Sequence, residues 1–96
     1  MTDIEVACAA AGDGWACTVR VSDDGSTTEH EVDIRPADAV AHGLHGVDDA
    51  ERLVQATFTF LLEREPKESI LRAFDLDVVS RYFPEYEHEI RRRLGH

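Results

Sequence analysis

His42 and His45, in the run Ala-His-Gly-Leu-His-Gly from Ala41 to Gly46, stand three residues apart. At that spacing two imidazoles can share a metal ion if the backbone between them is helical. A third ligand would have to come from Asp38, Asp48 or Asp49, and the glycines at 43 and 46 favour a loop. The pair is an incomplete metal candidate, and the sequence implies no cofactor. His30 falls on the apolar side of an alternating segment, where it is either a core histidine with a hydrogen-bond partner or a general base. A small enzyme or a metal-dependent binder would be built around His30, His42 and His45. Cys8 and Cys17 form a redox pair or serve as two small buried hydrophobes, and the second is the expectation for a chain read as cytoplasmic.

Carboxylate pairs occur at Asp23-Asp24, Asp48-Asp49 and Asp75 with Asp77, but each coincides with a turn or helix start that uses such residues. The sequence holds no phosphate loop, nucleophile elbow, paired CxxC or HExxH motif. Ser69 and Ser80 have no histidine and aspartate partners nearby in sequence. These features favour a non-enzymatic role.

The 20 Asp and Glu residues outnumber 10 Lys and Arg, for a formal net charge of -10 over 96 residues. Such an excess opposes binding to phosphate backbones and to anionic membranes. Among the basic residues Lys67 is the one lysine. Arginine-biased codon use, a halophilic surface adapted to high salt, or recognition of a basic partner each accounts for this balance. No apolar stretch reaches the roughly 18 residues of a membrane span, and the start Met1-Thr2-Asp3-Ile4-Glu5 is acidic where a signal peptide is basic. Cytoplasmic location is the resulting expectation. The length fits one domain, residues 1–96, able to bury a core without metal or disulfide support.

The elements that must position these residues begin with Asp24-Gly25, a dipeptide suited to a type I′ hairpin turn. That turn places Val21 opposite Thr28, Val19 opposite His30, Cys17 opposite Val32 and Trp15 opposite Ile34, all on one face. Arg20, Glu29, Glu31 and Asp33 then lie on the wet face. Ile4, Val6, Cys8 and Ala10 alternate likewise before the turn residues Ala11 to Gly14, so residues 1–35 read as a three-stranded antiparallel meander with Cys8 facing Cys17.

Residues 36–96 read as three to four helices packed on one face of that meander, an α+β fold. Pro36–Ala41 gives a short turn. A long helix begins at Asp48, with Glu51 in capping-box spacing, and carries Ala50, Leu53, Val54, Thr57, Phe58, Phe60, Leu61 and Leu62 inward. Pro66–Phe74 is expected as a second helix with a Glu68–Arg72 pair, and Asp75 or Asp77 caps a third. Pro84 opens a fourth, in which Glu87–Arg91 and Glu89–Arg93 pairs follow the macrodipole.

The run FLLEREPKESILRAFDLDVVSRYFPEYE, from Phe60 to Glu87, resembles the C-terminal segment of a group of small uncharacterised prokaryotic proteins. The resemblance implies a shared small domain and carries no catalytic or binding residue to this chain. A DNA-binding helix-turn-helix through 68–82 is an alternative reading, opposed by Glu85, Glu87 and Glu89 beside Arg81 and Arg91 to Arg93. In Ser80–Glu87, Phe83 reads as a core wedge, whereas Arg81, Tyr82 and Tyr86 read as interaction residues. The leading expectation is a small acidic protein–protein interaction module. Self-association through an edge strand or the C-terminal helices accompanies it.

Overall fold

The computed structural model describes residues 2–95. Strands β1 (Asp3–Ala11), β2 (Gly14–Asp23) and β3 (Ser26–Ile34) form the expected antiparallel meander. Asp24 and Gly25 adopt φ of 47° and 79°, the two left-handed positions a type I′ turn requires. The β2–β3 register is the expected one, from Val21 opposite Thr28 to Trp15 opposite Ile34. Gly14 is fixed by close approach, because a Cβ there would stand 2.1 Å from the Ile34 carbonyl oxygen.

Cys8 faces Cys17 as expected, but the two are joined as a disulfide, which corrects the reading of them as free buried thiols. Their Cα atoms are 4.0 Å apart. The Cys8 N–H is donated to Glu51 at 3.0 Å. The pair thus occupies a non-hydrogen-bonded site of the ladder, where opposed side chains come closest.

Beyond β3 come helix α1 (Pro36–Ala41) and the main helix α2 (Val47–Leu62). The inward residues of α2 are those the periodicity predicts: Ala50, Leu53, Val54, Thr57, Phe58, Phe60 and Leu61 are buried, and Leu62 is half-buried. They pack beneath Val19, Val21, Val32 and Ile34 of the sheet. The helix start differs from expectation. Gly46 is the N-cap and no capping box forms. Asp49 instead accepts the His45 N–H at 2.9 Å, and Glu51 is drawn to the Cys8 amide on the sheet edge.

The largest difference lies after Pro66. In place of a helix through Phe74, a 3-10 turn at Lys67–Ser69 leads into strand β4 (Ala73–Asp75). This strand pairs with β3 in parallel, giving a four-stranded sheet in the order β1-β2-β3-β4. The outer edge of β3 presents unsatisfied amides and carbonyls, and β4 meets them. Glu31 N–H donates to the Arg72 carbonyl at 2.7 Å and Leu76 N–H to the Asp33 carbonyl at 2.9 Å. A helix of nine residues gains too little by itself to outcompete that pairing. The segment 68–82 therefore contains a strand where a helix-turn-helix needs its first helix, and the Glu68–Arg72 helical pair does not form.

Helix α3 (Asp77–Tyr82) starts after Leu76, and neither Asp75 nor Asp77 caps it. Asp75 accepts from Arg35 at 2.6 Å, and Asp77 accepts from Arg81 at 3.1 Å. Helix α4 (Tyr86–Leu94) begins two residues later than expected, with Pro84 in the turn before it. Glu89 meets both Arg92 and Arg93. Glu87 lies 3.7 Å from His42 instead of pairing with Arg91.

Candidate functional site

His30 is wholly buried, and both ring nitrogens are engaged. Nδ1 donates to the Leu71 carbonyl at 2.8 Å, because a carbonyl can only accept. In the neutral ring Nε2 then accepts from the Thr28 hydroxyl, also at 2.8 Å. The ring packs 5.2 Å from Phe58. No substrate reaches such a group, so His30 is a structural residue and not a base. Its bond to Leu71 is a tether that fixes the approach to β4.

His42 and His45 line one cavity, but none of Asp38, Asp48 and Asp49 joins them in a set of three ligands. His42 ends α1 with its side chain nearly buried beside Glu87, and the His45 backbone is held by Asp49. Among the described residues no group of three or more His, Cys, Asp or Glu side chains is placed to hold a metal ion. A cavity of about 380 Å³ beside them is lined by Val40, His42, His45, Ile90, Arg91 and Leu94.

The interaction residues separate. Tyr86 is 1% exposed, with its hydroxyl 2.7 Å from Thr57 and its ring edge-on to Phe60 at 5.4 Å. It is a core residue, which corrects its assignment to an interface. Burial pushes its phenol well above the ordinary range, against the opposing effect of its hydrogen bond with Thr57. Tyr82 is 70% exposed and remains on the surface. Arg81 is exposed too, tied to Asp77 one helical turn back.

Beside Tyr82 lies an apolar groove of about 300 Å³. Leu61 and Phe83 form its floor side, Ile70, Leu71 and Phe74 one wall, and Val78, Val79 and Tyr82 the other. Contacts outside the groove brace its lining. Phe83 stacks edge-on against the buried Phe60 at 5.7 Å, and the Arg64 guanidinium lies over the Phe60 ring at 3.6 Å. Lys67 is buried in the turn before Ile70, where its ammonium pairs with Asp23 at the β2–β3 hairpin and with Glu68 at 2.9 Å. The hydrogen bond to Asp23, followed by that to Glu68, holds Lys67 above the ordinary lysine range. Leu71 on the rim is 52% exposed.

Sequence reasoning found Tyr82 but missed Leu71, Val78 and Glu65 as surface residues. Apolar spacing places Ile70 and Leu71 together on an inward face, and only the exit from the 3-10 turn into β4 sends Ile70 inward and leaves Leu71 in water.

No helix among the described residues is long and apolar enough to cross a membrane. Compared with known family models, curated proteins and solved structures, the chain matches none.

Proposed function

We propose that this chain is a non-enzymatic protein–protein interaction module that docks a partner in the groove between the end of α2, β4 and α3. One observation carries the reading: Leu71 and Tyr82, large side chains 52% and 70% exposed, flank an apolar cavity of about 300 Å³ whose lining includes the core residues Leu61, Ile70 and Val79. Exposed apolar residues beside a preformed concavity mark binding surfaces, and tyrosine is enriched among residues that dominate binding energy. The β1 edge is the poorer docking surface, because Glu51 already occupies the Cys8 amide near its middle.

The test compares the wild type with Tyr82→Ala and Leu71→Ala in affinity capture from host lysate at native salt, alongside sedimentation of the purified proteins. The expected result is one stoichiometric partner, or concentration-dependent self-association, lost in both variants while their melting temperatures stay unchanged. A partner retained by both variants overturns the assignment to the groove.

A further inference from the structure

Resting on that reading, we infer that the segment the groove accepts is basic: a partner peptide presenting a large apolar side chain with arginine or lysine next to it. The groove's lining contains one charged residue, Glu65, half-buried at the end of α2's following turn. It has no ion-pair partner among the described residues. Of the cations between residues 64 and 81, Arg64, Lys67 and Arg81 are already paired, whereas Arg72, next to Leu71, has no ion pair among the described residues. Arg64 binds Glu63 and Glu85, Lys67 binds Asp23 and Glu68, and Arg81 binds Asp77. A purely apolar occupant would strip water from Glu65 and leave its charge unpaired, which opposes docking. An acidic occupant would add repulsion, both locally and from a chain of net charge -10. A guanidinium or ammonium beside the apolar anchor answers the carboxylate directly. The exposed face of the Tyr82 ring offers the same cation a second contact.

The experiment titrates isotope-labelled protein with three synthetic peptides, observed by two-dimensional amide NMR. One combines leucine with arginine, one replaces arginine with glutamate, and one keeps arginine but replaces leucine with serine. The leucine–arginine peptide is expected to shift the signals of Leu71, Val78 and Tyr82, and the other two to leave them in place. Glu65→Gln should weaken binding about tenfold, a local charge effect. Glu5→Gln removes the same charge from β1, at the opposite edge of the sheet, and should leave binding unchanged. Equal weakening by the two variants, or equal binding of the glutamate peptide, overturns the basic preference while leaving docking in the groove intact. Groove signals unmoved by all three peptides overturn both.

Discussion

The β1–β3 meander and the segment from Pro66 to Phe83 are both built on a sheet, yet they are held by different forces. In the meander, long runs of backbone hydrogen bonds join neighbours in sequence, and the Cys8–Cys17 disulfide crosses the first hairpin. The later segment is fastened to the same sheet by three paired residues of β4 and a few side-chain tethers. These are His30 to the Leu71 carbonyl, Lys67 to Asp23, and Arg35 to Asp75. Dense backbone pairing leaves the inward side chains from Cys17 to Val21 and from Thr28 to Ile34 buried. Sparse side-chain tethering leaves Leu71 and Tyr82 in water, so the region held by fewer bonds is the one that carries the exposed apolar groove.

The sharpest way to break this contrast is His30→Ala, which removes the tether from beneath. It creates a cavity beside Phe58 and strands the buried Thr28 hydroxyl and Leu71 carbonyl. The expected loss is about 3–5 kcal/mol in urea unfolding. A loss below about 1 kcal/mol would show that β4 holds without its histidine.

Reduction of the disulfide acts on the other region. The bridge closes a short loop, with a sequence separation of 9. Chain entropy then gives about 2–3 kcal/mol, read as the difference between unfolding curves with and without dithiothreitol. The groove should be unaffected, since it lies at the far edge of the sheet.

A smaller effect is expected from Thr57→Val, which leaves the buried Tyr86 hydroxyl without its partner and should cost about 1–3 kcal/mol. The same tyrosine sets an alkaline limit. Its folded phenol is harder to ionise than the unfolded one, so the folded state retains a proton that the unfolded state releases. Stability from this source is complete below pH about 10 and declines as pH rises beyond it. Tyr86→Phe should flatten that decline in melts recorded across alkaline pH.

The smallest stability change belongs to Tyr82→Ala, within about 0.5 kcal/mol by thermal melting, because the side chain is exposed. A destabilisation well beyond that would return Tyr82 to the core and remove the rim of the groove.

Legibility followed the same division. The register of β2 against β3, the inward face of α2 and the wet acidic face of the sheet were readable because alternation and helical periodicity record burial of neighbouring residues. The site was half readable. Tyr82 was found from composition around Pro84, but Tyr86 was assigned to the same surface, four residues on, although it belongs to the core. Their separation depends on where α4 begins and on Thr57, 29 residues earlier in the chain.

By itself the sequence determined the hairpin turn at Asp24-Gly25, the two-faced meander, the single long amphipathic helix and the acidic surface. Each follows from local torsional preference, short-range periodicity or total charge. Tertiary structure alone decided that residues 73–75 become a strand, that His30 becomes a tether, that Cys8 and Cys17 bond, and that Glu65 lines an apolar groove with no ion-pair partner among the described residues. The physical reason is common to all four. Each outcome depends on the edge, cavity or partner that distant residues present, and the free energy of meeting it outweighs the local preference of the segment itself.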